Sequence, residues 1–254
     1  MTDYRLRIYP QYGSRFQGAG TDFNSVLSER WGRAYDWYLR SWLPEDKQAN
    51  ILDVACGNGS LLHFFRQRGY SKLAGVDISP EQVALAKQVV PDVHQANVLD
   101  FLESHCGEFD LITGLDLIEH FQKDEVLRFL DGCYHSLKTG GRLILQTPNA
   151  ETPWAGYHRY NDLTHEICFQ HNSISCLLRL CGFGAVEVRE QGPVPYGYSL
   201  KSTIRWLMWQ LIRSGLKAYN LAETGSTGSG VYTRVFITGA IKEKGSKDGQ
   251  TGKE

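Results

Sequence analysis

Short apolar runs recur along the chain from residue 50 onward, at 51–55 (ILDVA), 73–77 (LAGVD), 93–96 (VHQA), 109–113 (FDLIT) and 142–146 (RLILQ). Between them lie segments whose apolar residues fall at helical spacing, for instance 60–68 and 123–136. Ser79-Pro80-Glu81 adds a helix start, with a capping residue followed by proline in the first turn. Gly140-Gly141 marks a turn into the fifth run. Strand and helix in alternation make βαβ units, which bury a parallel sheet between two helical layers. Two further runs, 185–189 and 231–241, bring the predicted strands to seven. The class is therefore α/β: a seven-stranded, mostly parallel sheet with helices on both faces.

Three regions depart from the alternation. Residues 1–45 are crowded with aromatics (Tyr4, Tyr9, Tyr12, Phe16, Trp31, Tyr35 among them) and read as an N-terminal cap over a site, or as a layer packed on the sheet. The segment 148–171 reads as a long polar loop after the fifth strand, rich in Trp, Tyr, His and Asn. Residues 199–222 read as a helical insertion before the last strand, basic and amphipathic through Lys201, Arg205, Arg213, Lys217, Trp206 and Trp209. The domain thus spans 46–241, and the hydrophilic tail 242–254 reads as disordered.

Composition narrows the picture. At 254 residues and 42% hydrophobic content, one sizeable core is expected. A formal net charge of −1 provides no global attraction for a polyanion, so nucleic acid is not the expected partner. The N-terminus lacks an apolar signal core and no apolar run reaches membrane-spanning length. A cytoplasmic protein is expected, peripheral at the inner membrane face if 200–221 touches lipid. The same helix could instead cover the sheet edge or join a homodimer. Six scattered cysteines without a Cys-x-x-Cys pair read as reduced, structural thiols.

In open α/β sheets ligands bind beyond the carboxyl ends of the strands, where strand order reverses. The loop Cys56-Gly57-Asn58-Gly59 follows the first strand and would sit there, with Asp53 placed to meet a cationic amine. Asp77 ends the second strand, 18 residues beyond Gly59, where a carboxylate can accept both hydroxyls of a ribose. A dinucleotide fingerprint would need a third glycine where this chain has Leu62, so hydride transfer is disfavoured.

These residues resemble those of the class I S-adenosylmethionine (SAM)-dependent methyltransferases, over about 51–241. The resemblance implies a Rossmann-like sheet and SAM as cofactor. It further implies that Asp53, Ala55, Gly57, Asn58 and Gly59 hold the methionine part and that Asp77, followed by Ile78, meets the ribose. Asn97 and Val98 would meet the adenine, and Leu115, within 114–116, would border the cofactor. Asn97 stands where the family more often has Asp.

Methyl transfer to a hydroxyl needs a base or a metal near the nucleophile. Asp116-Leu-Ile-Glu119-His120 after the fourth strand resembles the Glu-x-x-Glu-His metal motif of ubiquinone-biosynthesis O-methyltransferases and of small-RNA 2′-O-methyltransferases. His165, in Asp162-Leu-Thr-His165-Glu166, matches a later histidine that completes that site. Two readings stand open. Asp116, Glu119, His120 and His165 hold a divalent cation (Mg²⁺, Mn²⁺ or Zn²⁺), or His165 or His120 acts as general base oriented by Glu166 or Asp162, with Glu119 in support.

The acceptor is expected to be a small molecule or a saccharide. Trp154, Tyr157, Tyr160, Tyr196 and Tyr198 could stack on it, with Arg159 and Asn161 supplying hydrogen bonds. The segments 159–183 and 221–241 resemble those of methyltransferases encoded among bacterial surface-polysaccharide genes, which implies a sugar hydroxyl in a polysaccharide, glycolipid or nucleotide-sugar precursor. A quinone-like small molecule is the alternative acceptor. A non-catalytic SAM-binding protein and an RNA methyltransferase are the competing functions.

Overall fold

The computed structural model of the chain describes residues 4–16, 20–195 and 199–243. Its sheet contains β1 (Asn50–Val54), β2 (Lys72–Asp77), β3 (Val93–Gln95), β4 (Phe109–Leu115), β5 (Leu137–Pro148), β6 (Phe183–Glu190) and β7 (Val235–Lys242), in the order β3-β2-β1-β4-β5-β7-β6. The first five strands are parallel, and β7 runs antiparallel between β5 and β6. The Rossmann-like, mostly parallel sheet expected from the sequence is thus present. Strand order reverses at β1, whose neighbours are β2 on one side and β4 on the other.

Alternation along the central strands sends side chains to two cores. Ile51, Leu111 and Ile144 enter the layer built with helices α3 (Ser25–Tyr38), α4 (Ser60–Gln67) and α5 (Pro80–Ala86). Leu52, Ile112, Leu143 and Leu145 enter the other, with α6 (Val98–Glu103), α7 (Lys123–Ser136) and α9 (His171–Leu180). Phe64, Phe65 and Phe129 are fully buried in these layers. Fully burying one such side chain stabilises by roughly 1.5–3 kcal/mol.

Several predicted boundaries move. β5 starts at Leu137 and runs through Gly140-Gly141, because a register shift opposite Phe109 and Leu111 absorbs the glycines that suggested a turn. The final strand starts at Val235, since 231–234 is an irregular approach to it. The 148–171 segment is not all loop, for it contains α8 (Ala155–Tyr160). The inserted helix α10 extends from Leu200 to Thr224, capped by Ser199 at its start and by left-handed Gly225 at its end. The N-terminal region forms α1 (Tyr4–Ile8), a single 3₁₀ turn and α2 (Tyr12–Phe16) ahead of α3. Most of the tail, 244–254, and Tyr196 and Tyr198 lie outside the described residues. Among the described residues no helix is long and apolar enough to cross a membrane.

Candidate active site

The loops after β1, β2, β3 and β4 converge with α1–α3 on a cavity of about 630 Å³. Asp53, Ala55, Gly57, Asn58, Asp77, Ile78, Asn97, Val98 and Leu115 all line it. Two non-glycine residues in left-handed conformation flank the switch point, Ala55 (φ 51°) and Asp116 (φ 51°). Such geometry costs on the order of 1–3 kcal/mol and collects where a ligand must be approached closely.

Asp53 is buried at the end of β1, accepting a 2.7 Å hydrogen bond from Thr113 Oγ1. Desolvation, then the charge of Asp77, push its carboxyl up to about 7. No salt bridge to it occurs among the described residues, so a bound ammonium would meet a carboxylate in need of a cation. Asp77 accepts from the backbone N–H of Gly57 (2.9 Å) and of Ser79 (2.8 Å), which fixes the β1 loop against the end of β2. Its remaining lone pairs can serve two vicinal hydroxyls. Ile78, Val98 and Leu99 supply an apolar slot beside it. A cationic amino acid joined to a nucleoside fits this set.

Two of the expected cofactor positions work differently from the expectation. Gly59 does not line the cavity; it caps α4 with φ 84°, and a Cβ there would meet the Cα of Ala86 at 3.0 Å. Asn97 does line it, but its side-chain oxygen accepts from Leu99 N at 2.9 Å to cap α6, which leaves the amide NH₂ for a ligand. Leu62 is fully buried and packs where a Cβ on Gly75 would stand 2.9 Å away, so no backbone approach of the dinucleotide kind exists there.

At the other end of the cavity stand His120 and His165, their rings 4.8 Å apart and perpendicular within 20°. His165 Nδ1 lies 2.8 Å from the carbonyl oxygen of His158, which can only accept, so in the neutral ring Nδ1 carries the proton and Nε2 the lone pair. Thr164 Oγ1 donates to Asp162 Oδ1 at 2.6 Å and must therefore accept from His120 Nδ1 at 2.9 Å. His120 Nε2 is thus a lone pair too. Burial and the neighbouring His165 push His120 down to about 4, so it is neutral at ordinary pH. Arg159 donates to the carbonyls of His165 and Glu166, fastening the loop.

Glu119 lies beneath the pair, fully buried and outside the cavity lining. Oε2 accepts from Thr147 Oγ1 at 3.0 Å, while Oε1 has no partner among the described residues. Burial, then the charge of Asp116, holds this carboxyl well above the usual range. The ligand atoms of Glu119, His120 and His165 lie within 4.8 Å of one another, a spacing that could hold a metal ion. Asp116 is not part of that group. Its left-handed backbone turns the carboxylate to Gln146 Nε2 (2.7 Å), at the cofactor side of the cavity. Glu166 does not orient either imidazole, since its Oε1 accepts from Tyr4 at 2.7 Å.

The aromatic wall comes from the N-terminal region. Tyr9, Tyr12 and Trp31 line the cavity, joined by Phe121 from the segment after β4. Three contacts fasten this region across it: Tyr4 to Glu166, Tyr12 to Asp162 Oδ2 (2.5 Å), and Arg5 to both Glu125 (2.7 Å) and the His120 carbonyl (3.0 Å). Trp154, Tyr157 and Tyr160, expected to stack on the acceptor, are exposed on the outer surface instead, and Arg159 is engaged with backbone carbonyls. The sequence offered no link from the N-terminal aromatics to the site, because the contacts join residues more than 100 positions apart.

Comparison with known proteins bears on the family and the fold. A family model described as a methyltransferase domain matches residues 26–188. Ubiquinone biosynthesis O-methyltransferases are similar, from Sodalis glossinidius at 30% identity over 39% of this chain and 41% of the relative, and from Xanthomonas oryzae pv. oryzae at 32% over 42% and 46%. The chain therefore matches less than half the length of these relatives. A SAM-dependent methyltransferase from Archaeoglobus fulgidus has a similar structure, with a TM-score of 0.63 and 18% identity over 94% of this chain and 100% of that one. So does the Haemonchus contortus phosphoethanolamine N-methyltransferase 2 in complex with phosphomonomethylethanolamine and S-adenosylhomocysteine (TM-score 0.59, 16% identity, 93% and 60% covered).

Proposed function

The chain belongs to the class I SAM-dependent methyltransferases, and from that premise we propose that it is an O-methyltransferase acting on a ring hydroxyl of a small planar acceptor. One observation carries the reading: a Nε2 lone pair on each of two imidazoles stands at the aromatic end of a cavity whose opposite end is built for the cofactor. Bound SAM supplies an electrophilic methyl on a sulfonium. In this reading Asp53 pairs with its amine, Asp77 accepts from the ribose hydroxyls, and Ile78, Asn97, Val98 and Leu115 enclose the base. Ala55, Gly57 and Asn58 bring backbone to the methionine part, with Gly59 setting the turn.

His165 Nε2 accepts the proton of the acceptor hydroxyl as its oxygen attacks the methyl. His120 holds protons too weakly to do so at neutral pH and instead orients the hydroxyl. Tyr9, Tyr12 and Trp31 clasp the acceptor ring by offset or edge contacts, excluding water. The names of the similar ubiquinone biosynthesis O-methyltransferases support a quinone-like ring acceptor over a sugar.

A second reading rests on the unpartnered Glu119 Oε1. Glu119, His120 and His165 would hold a divalent cation, which would lower the pKa of a bound hydroxyl.

The test is incubation with SAM and parallel sets of catechols, hydroxyquinols and nucleotide sugars, with methylated products followed by mass spectrometry. A methyl on a ring hydroxyl is expected. Methylation of nucleotide sugars with the phenols untouched would refute the acceptor class.

A further inference from the structure

Helix α10 turns a large apolar stripe away from the molecule. It is 25 residues long, about 37 Å at the usual rise, yet none of its residues is buried. Helices at protein surfaces ordinarily turn their apolar stripe to the core. Here the side toward the molecule carries half-buried Trp206 and Trp209, the latter against Gly192, together with polar contacts. Ser202 donates to the Val194 carbonyl (2.8 Å), Arg213 pairs with Glu190 (3.0 Å) and donates to the Gly230 carbonyl (3.1 Å), and Asn220 meets Tyr232 (3.4 Å). At 100° per residue these positions share one side. Leu200, Ile204, Leu207, Met208 and Leu211 spread over the opposite side, 49–77% exposed.

Cations border that stripe. Lys201 and Arg205 lie along one margin and Lys217 along the other, all exposed, and no acid occurs in the helix before Glu223. A second copy of the helix would bring like charges together at both margins, whereas an anionic bilayer complements stripe and margins alike. The segment after the helix also lies close to the start of α8. Gly228, just beyond the end of α10, lies against Glu151, and Ser229 N donates to that residue's carboxylate (3.2 Å). Glu151 leads into α8, where Trp154 (60% exposed), Tyr157 and Tyr160 stand outward, and Arg234 lies 5.6 Å from the Trp154 ring centre and 5.5 Å from that of Tyr157. Exposed Trp and Tyr beside basic residues suit the headgroup layer of a membrane.

We propose that α10 and the aromatic face of α8 form one surface that docks on an anionic lipid bilayer, the helix lying in the interface plane. β6 runs parallel to β5, so the chain enters α10 from the carboxyl edge of the sheet, the edge that carries the cavity. Docking therefore brings the edge that bears the site to the membrane. That an acceptor partitioned in the bilayer enters from there rests on the ring-hydroxyl reading; the docking itself does not.

The test is cosedimentation of the full chain with phosphatidylcholine vesicles containing about one third phosphatidylglycerol, against pure phosphatidylcholine, at low and high salt. Binding to the anionic vesicles is expected, weakening with salt. K201Q/R205Q/K217Q should lower the partition coefficient about 100-fold, at about fivefold per cation. L207S/L211S should lower it at least tenfold, with SAM binding and circular dichroism unchanged in both variants. The proposal is overturned by absence of vesicle binding at low salt. It is equally overturned by binding that survives both sets of substitutions, or by a dimer in equilibrium sedimentation that L207S/L211S dissociates while vesicles capture nothing.

Discussion

Asp53→Asn separates two roles that one carboxylate plays. The amide keeps the shape and can still accept from Thr113 Oγ1, so packing at the end of β1 changes little. What changes is charge. Asp53 titrates at about 7 in the fold against 3.8 ordinarily, so between those values the folded chain binds a proton that the unfolded chain has released. Stability contributed by this group therefore falls as pH rises from about 4 to about 7, and above that the full cost of the buried carboxylate is present. Keeping this carboxylate ionised in the fold costs at most about 4 kcal/mol, a ceiling reached only if the site does not relax. The repulsion between Asp53 and Asp77 is part of that cost and is relieved in the variant, where Asp77 and Cys56 no longer feel the Asp53 charge. Urea unfolding of the cofactor-free protein and the variant from pH 5 to pH 8 should show Asp53→Asn gaining stability progressively, to several kcal/mol at pH 8. SAM affinity should move the other way. The variant loses the partner of the cofactor ammonium, and the parent weakens about tenfold per unit below pH 7 as Asp53 takes up its proton. An unfolding difference that is the same at pH 5 and pH 8, together with undiminished SAM binding by the variant, would refute both the burial argument and the assignment.

His165→Ala should lower kcat with a phenolic acceptor by about 10²–10⁴-fold, the usual range for a lost general base, while calorimetry finds the SAM Kd within about twofold of the parent. Retention of full turnover would remove His165 from the chemistry. Gly59→Ala forces a Cβ into a left-handed residue and against Ala86, so a loss of about 1–3 kcal/mol is expected in thermal or urea unfolding. An unchanged midpoint would contradict the packing described for the start of α4.

Where local chemistry and global fold agree, the sequence was legible to the residue. α7 occupies Lys123–Ser136 as its periodicity predicts, because Gln122 and Glu125 form a reciprocal cap at its start. The cofactor half of the site was readable for a similar reason, since strand, loop and acid follow one another within a single βαβ unit. The acceptor half was not. Its wall is assembled from Tyr9, Tyr12 and Trp31, whose neighbours across the cavity are remote in the chain. Asp116 misled by spacing: three positions from Glu119, it belongs to the expected ligand motif, but a left-handed φ sends its carboxylate to Gln146. For α10, periodicity reveals that two faces differ and is silent on which one the protein keeps for itself.

The fastening of the N-terminal region has a consequence for proton inventory. Asp162 receives Tyr12 on one oxygen and Thr164 on the other, and Thr164 in turn fixes the tautomer of His120. The phenol that walls the acceptor cavity and the hydroxyl that sets the His120 tautomer thus hang on one carboxylate, so the N-terminal region helps decide which imidazole nitrogen bears the lone pair.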